Sequence, residues 1–459
     1  MEIATFVEQL KTASLSSKTT IWADPSKADF QDSLARRTDV GKKQPGAIIM
    51  PASEDDAAKI VKLAVESSVP FVAKAGGHSA WSTIGSSGFV LDFSLMRAVE
   101  VDTGRQTATA SAGTLIGDIV DAVAEQGYCR GLHTVDHRGG ITVLAPLIGF
   151  GSDNIVSARM ITAKGDLITV SKDENAELLY AIKAAGQFFG VVTSLTVKIH
   201  PLSILGSPEG SVWSASLLFD VSKAADVARA AIEVKKTTTR SYCLTGVMPA
   251  PPTLDPIILV LVIHLGSKAD GEEAFKPILD LGPLAVPASS EVPFGKVNEG
   301  FQAFESKGGF KRWLAVGMTS LDQFQPEDMT RLVDQRGTIT EKYPSAKPTG
   351  SVIEFTSDGP WNQVTAENET AWSTRDVATW CHLLCWASEE EAVDYAHEIA
   401  EESMRHIRRN QPKYQFSIYG NFSRIAPLEQ RYKGAERLEK VRGLKLKWDP
   451  NGVFTNEFL

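Results

Sequence analysis

Residues 70–102, PFVAKAGGHSAWSTIGSSGFVLDFSLMRAVEVD, constrain the fold of this chain more than any other stretch. Pro70-Phe71-Val72-Ala73 reads as a short buried strand, opened by a proline that can begin a ladder but not continue one. The chain then turns through Ala75-Gly76-Gly77-His78-Ser79. Two adjacent glycines allow positive φ and leave no Cβ in the way of a ligand. Successive N–H groups in such a turn converge on an anion without needing a basic side chain. Ser79 and Ser82 add hydroxyl donors, and Lys74 adds a cation. An ordinary strand–turn–strand also uses paired glycines, and an isolated histidine such as His78 is more often a hydrogen-bonded structural residue than a chemical one. Phe89–Phe93 resumes a strand, and Ala98–Thr103 is expected to continue the same sheet.

The flanking segments give this turn a setting. Residues 2–15 alternate at helical spacing, and Ala47–Met50 is a compact strand between Pro45 and Pro51. Ser53 with Asp56 three residues on caps a helix whose apolar positions Ala57, Ile60, Val61, Ala64 and Val65 share one face. Strand, helix and strand thus lead into the glycine turn as a small α/β unit. Thr107–Gly113 is a further strand, and a helix runs from Leu115 to Gln126. A second glycine-bearing loop, Cys129–Gly140, holds His133, Asp136, His137 and Arg138 beside Gly139 and Gly140. Such a set is either a solvated loop or a His–Asp pair able to move a proton near neutral pH. Asp153–Leu167 reads as a hairpin turning at Lys164-Gly165-Asp166.

After Pro201 the texture changes to longer β-like runs broken by helices such as Ala224–Lys236 and Glu389–Arg409, the pattern of an α+β domain on an antiparallel sheet. The 459 residues are enough for two or three domains. With 47 basic against 56 acidic residues the net charge is −9, which argues against nucleic acid or an anionic membrane as partner. The N-terminus lacks the positively charged start and apolar core of a secretory signal, and no apolar run is long enough to span a bilayer, so a cytoplasmic enzyme is expected. Four cysteines, Cys129, Cys243, Cys381 and Cys385, are too few for a disulfide framework and lack zinc spacing. Trp380–Trp386 reads as a buried strand that puts Cys381 and Cys385 on one face.

Basic-x-Gly-Gly-His-Ser followed by the "VLDFSLMRAVEVD" strand pair resembles the flavin-binding domain of the vanillyl-alcohol oxidase / p-cresol methylhydroxylase superfamily, and within it the berberine-bridge-enzyme-like branch. The "P-x-I-I-x-P-x-S" opening, the hairpin from Asp153-Asn154, Phe189–Thr193, Thr370–Arg375, the Tyr419-Gly420-Asn421-Phe422 strand and the terminal Trp448–Phe454 match as well. The resemblance implies an α+β fold. Residues 1–203 and 413–459 would form a two-part FAD-binding domain of the p-cresol-methylhydroxylase type, and 204–412 a substrate domain. It implies that Lys74, Ala75, Gly76, Gly77, Ser79 and Ser82 grip the FAD pyrophosphate and that His78 is bonded to the flavin ring. Gly139 and Gly140 would lie over the ring, while Asp153, Gly190, Val192, Tyr419 and Asn421 would complete the cofactor site. The chain departs from the pattern in having Lys74 for the usual Arg, a shortened glycine run before Phe150, and Cys129 upstream of the position where some members carry a second, cysteinyl tether. Cys129 is therefore expected to be a plain thiol.

The implied chemistry is an FAD-dependent oxidase of secondary metabolism that removes a hydride from a small organic substrate, with O2 as acceptor. Tyr419 is the first candidate for base, hydrogen-bond donor or orienting wall near the ring, and His137 the second catalytic candidate. Glu354 and His382 are alternative bases, and Trp372, Trp380, His382 and Phe355 are candidate walls. A flavoprotein whose cavity steers a non-redox cyclisation, such as a cycloaddition, is the competing reading.

Overall fold

A computed structural model describes residues 1–131, 140–207, 209–297, 299, 306–356, 369–419 and 426–455. The α+β architecture holds three principal sheets. The first has four strands in the spatial order Thr20–Trp22, Ala47–Met50, Phe89–Asp92, Phe71–Lys74, the last three of them parallel. Ala47–Met50 and Phe89–Asp92 are buried along their whole length, which is why they read as unbroken apolar runs rather than alternating ones. Helix Glu54–Glu66 makes the crossover, and the Ser53 hydroxyl accepts the Asp56 N–H at 3.1 Å. Three carboxylates in its first turn complement the helix dipole.

The second sheet is antiparallel, in the order Val99–Asp102, Thr107–Ser111, Val191–Lys198, Ile155–Ile161, Leu167–Ser171. Here one sequence expectation is corrected: Val99–Asp102 does not extend the first sheet. A 3-10 turn over Phe93–Leu95 takes the chain off that sheet, and Val99–Asp102 folds back on Thr107–Ser111 through a tight hairpin. The two sheets are tied together by Glu54, whose Oε1 accepts from the Thr193 hydroxyl at 2.7 Å and the Ser194 hydroxyl at 3.0 Å.

The third sheet has eight antiparallel strands, ordered Ala285–Pro293, Ser211–Phe219, Asp255–His264, Ser241–Ala250, Gly350–Phe355, Thr379–Ala387, Phe310–Met318, Ser417–Ile418. Strand alternation gives it two different faces. Val316, Met318, Ile353, Phe355, Cys381 and Cys385 point to helices Ala224–Thr237, Pro326–Lys342 and Glu390–Ile407 and form the largest core. The two cysteines thus share a face, as the strand reading requires. The opposite parity carries Trp313, Trp380, His382, Glu354 and Tyr242. Among the described residues no helix is long and apolar enough to cross a membrane.

The C-terminal stretch first adds Ser417–Ile418 to the edge of the large sheet, beside Val316 and Gly317, and only then returns to the N-terminal sheets. Helix Ala435–Trp448 lies on helix Ala176–Ala185, with Lys445 Nζ donating to the Phe188 carbonyl at 2.7 Å. Lys445 is also paired with Asp449, both side chains fully buried. Asp449 in turn accepts the N–H of Val453 at 2.7 Å and of Phe454 at 3.1 Å, so the terminal Trp-Asp-Pro-Asn-Gly-Val-Phe run closes on one carboxylate. Phe454 then meets Phe71 edge-on at 6.1 Å. Removing one member of a buried pair leaves an uncompensated charge. Asp449→Ala should therefore lower the stability by about 3–5 kcal/mol, read as a fall in the urea midpoint against the unmodified chain.

Candidate cofactor and active site

The glycine turn sits at the carboxyl end of Phe71–Lys74, where ligands of open parallel sheets are generally bound. Ala75 and Gly76 are exposed there. Gly77 has φ +77°, and a Cβ on it would stand 2.9 Å from the Ala35 carbonyl oxygen, so both conformation and space require glycine. Its own carbonyl accepts the Arg37 N–H at 2.8 Å, which fixes the turn against residues 35–37. The Ser79 hydroxyl accepts the Trp81 N–H at 3.1 Å and shapes the return, and Ser82 is half-buried behind it. His78 is exposed on the wall of a cleft of about 810 Å³. The facing wall is built by Lys311, Trp313 and Leu314 of the large sheet, with Ile418 and Met404 beyond them.

Several predicted cofactor ligands turn out to hold the protein together. Lys74 does not offer a free point charge: its ammonium donates to Asp92 at 2.6 Å, in register across the parallel pair, with both side chains buried. A cation drawn into a sheet needs a counter-ion beside it, and Asp92 supplies one. Asp153 is held by Arg375 through two hydrogen bonds, Nη1 to Oδ2 at 2.9 Å and Nη2 to Oδ1, and also accepts the Phe150 N–H at 2.9 Å. Its carboxylate thus joins the turn before strand Ile155–Ile161 to the segment that feeds strand Thr379–Ala387 of the large sheet. A Cβ on Gly190 would lie 2.6 Å from the Ile161 carbonyl oxygen and 2.7 Å from Met160 Cγ, so that glycine answers to strand packing. Val192 pairs with Met160 in the same ladder. Gly140 is buried, and its carbonyl accepts the Gly151 N–H at 2.7 Å. His137, Gly139 and Asn421 lie outside the described residues.

Tyr419 is buried, its ring 5.3 Å from Trp380 and edge-on to Trp372 at 5.9 Å. Trp380 and Phe355 line a cavity of about 30 Å³ with Tyr242 and Phe150, room for a single water. From this cavity to the cleft runs a string of hydrogen bonds across the sheet face. The Tyr242 hydroxyl donates to Glu354 Oε1 at 2.6 Å, Glu354 Oε2 lies 3.2 Å from His382 Nε2, and Trp313 Nε1 donates to His382 Nδ1 at 3.0 Å. The Arg37 guanidinium lies over the Trp313 ring at 3.9 Å. Burial, reinforced by the charge and hydrogen bond of Glu354, pushes the Tyr242 phenol well above its ordinary range, so it stays a donor at neutral pH. Glu354 and His382 were alternatives in the sequence, whereas Tyr242 and Trp313 carried no motif. The signal available for them was strand parity, which turns these positions to the same face.

The arrangement fits a flavin dinucleotide. A Cβ-free backbone is exposed at the end of a parallel strand, an imidazole stands on the cleft wall beside it, and the cleft volume lies in the range of cofactor sites. The fit relies on backbone and hydroxyl donors, because the nearby charges of Lys74 and Asp153 are already engaged.

Comparison with known proteins agrees with this geometry. A family model described as an FAD binding domain matches residues 45–171. The FAD-linked oxidoreductase fogF of Aspergillus ruber is 29% identical over 454 residues, spanning 93% of this chain and 88% of that one. The fold is that of the berberine-bridge-enzyme-like 1 protein of Physcomitrella patens, with TM-score 0.81 at 16% identity over 99% of this chain and 98% of that chain. It is also that of glucooligosaccharide oxidase from Acremonium strictum, with TM-score 0.78 at 18% identity over 98% of each chain; that protein carries a 6-S-cysteinyl, 8α-N1-histidyl FAD.

Cys129, the nearest thiol to the second loop, is buried opposite His200 in a two-residue ladder, and burial pushes it up to about 12. Cys243 and Cys385 are likewise raised to about 12, and Cys381 is raised further. A thiol reagent at pH 8 should therefore leave the native protein unlabelled over minutes and label four cysteines after denaturation. Three labelled thiols would mean that one of them is bonded to flavin.

Proposed function

We propose that this chain, whose residues 45–171 match an FAD binding domain and which is similar over most of its length to FAD-linked oxidoreductases, belongs to the vanillyl-alcohol oxidase / p-cresol methylhydroxylase superfamily in its berberine-bridge-enzyme-like branch, and works as an oxidase of a small organic substrate with His78 bonded to the flavin. The observation that carries this reading is His78 on the cleft wall directly after the glycine turn, across from the polar string on the large sheet. Ala75, Gly76 and Gly77 would hold the diphosphate through backbone N–H groups, helped by the hydroxyls of Ser79 and Ser82. FAD, when bound, supplies the hydride acceptor at its ring nitrogen N5 and the electron exchange with O2. Over the reaction the substrate loses a hydride from carbon and a proton from the adjoining heteroatom, and O2 becomes hydrogen peroxide.

The chain's own task is to place the substrate and take that proton. Glu354 is the proposed acceptor. It is partly shielded from water, its two oxygens are held by Tyr242 and His382, and it is linked to the cleft wall through His382 and Trp313. Tyr419, the first candidate from the sequence, is assigned the role of wall: packed between Trp372 and Trp380, it backs the pocket from the end of the sheet. Trp313, on the cleft wall, offers flat apolar surface on which an aromatic or alicyclic substrate would lie.

Two measurements test the reading. Visible spectra before and after acid precipitation should show yellow colour staying with the polypeptide, and His78→Ala should release it into the supernatant. Anaerobic mixing with a panel of alcohols, amines and sugars should bleach the flavin with at least one compound. A flavin that never bleaches would favour the non-redox cyclase instead. In Glu354→Gln, kcat for the bleaching compound should fall by about 10²–10⁴-fold while bound FAD is unchanged. An unaltered kcat removes Glu354 from the chemistry.

A further inference from the structure

Resting on the assignment of Glu354 above, we propose that Trp313 is a positioning residue that fixes the tautomer of His382 and, through it, the orientation of the Glu354 carboxylate. An indole nitrogen can only donate. At 3.0 Å from His382 Nδ1, the Trp313 N–H requires that nitrogen to be an acceptor. The ring proton then sits on Nε2, the nitrogen 3.2 Å from Glu354 Oε2, and donates to the carboxylate. Tyr242 donates to the other oxygen at 2.6 Å, so the carboxyl plane is held from both ends by two O- and N-bound protons. With the alternative tautomer, two N–H groups would face each other at the indole and two lone pairs at the carboxylate. His382 is 4% and Glu354 19% exposed, so water has little access to relieve either clash.

The backbone sets this up. Trp313 lies opposite Leu384 and His382 opposite Ala315, so the two rings are diagonal neighbours on one face of adjacent strands. They meet edge-to-face, 5.7 Å between centroids at 80°, with the indole nitrogen 3.0 Å from His382 Nδ1. The indole is steadied from the cleft side by the Arg37 guanidinium at 3.9 Å. Trp313 is thus a wall of the cleft and, through its one side-chain polar atom, the anchor of a four-residue string that ends at Tyr242.

Trp313→Phe keeps the ring and removes the donor. Holoprotein labelled with [15N]histidine reports the tautomer through ring 15N–1H correlations, His382 being identified by the signals lost in His382→Asn. The unmodified protein should show His382 protonated on Nε2 alone. In Trp313→Phe the ratio of Nε2–H to Nδ1–H forms should fall by about 10-fold, the equivalent of one lost hydrogen bond. For the compound that bleaches the flavin, kcat should fall about 10-fold with KM changed less than about twofold. An Nδ1–H ring in the unmodified protein overturns the proposal, and so does a pure Nε2–H ring with full kcat in Trp313→Phe. The spectrum of the unmodified protein decides the tautomer even where the variant folds poorly. Failure of the oxidase reading would show separately, as a flavin that no panel compound bleaches.

Discussion

The buried pair between Asp153 and Arg375 is the joint on which the molecule turns. Asp153 belongs to the turn before strand Ile155–Ile161, and Arg375 to the segment that feeds strand Thr379–Ala387 of the large sheet. Two parallel hydrogen bonds fix distance and angle together, which a single contact would not do. The cleft itself is walled by residues around the glycine turn and by strand Phe310–Met318 of the large sheet. His78 approaches from one side and the string Trp313–His382–Glu354–Tyr242 from the other.

The same economy of charge recurs elsewhere. Lys74 with Asp92, Lys445 with Asp449 and Arg375 with Asp153 are all drawn inside, each cation beside a carboxylate. A buried ion pair contributes little net stability over an apolar pair, but its members cannot be separated without a large cost. Beside the glycine turn, Lys74 is thereby engaged by Asp92. In the proposed FAD reading the diphosphate would be held by backbone amides and hydroxyls, whose dipoles are fixed by the fold.

Much of this was legible in the chain itself, and the reasons differ by feature. Proline-bounded apolar runs marked Ala47–Met50 and Phe71–Lys74, and the Ser53–Asp56 cap marked the crossover helix, because each rests on contacts within a few residues. The hairpin at Lys164-Gly165-Asp166 and the shared face of Cys381 and Cys385 follow from turn chemistry and a two-residue period. What the sequence could not reveal is long-range. Val99–Asp102 changes sheets because of its partner, not its composition. Tyr242 and Glu354 are 112 residues apart, and Asp153 and Arg375 are 222 apart. Both candidate ligands Lys74 and Asp153 have the right residue type for an anion or hydroxyl site, and only tertiary contacts show that other side chains already claim them.

The path of the last forty residues bears on how such a protein can be taken apart. Ser417–Ile418 is stitched to the edge of the large sheet, the following helix is anchored to the Phe188 carbonyl, and Phe454 seals against Phe71 beside the glycine turn. The N-terminal region therefore has no intact surface of its own: apolar side chains that the tail covers would meet water if it were cut away. Shuffling between relatives must accordingly treat head and tail as one inherited piece, with the large sheet as an insert between them.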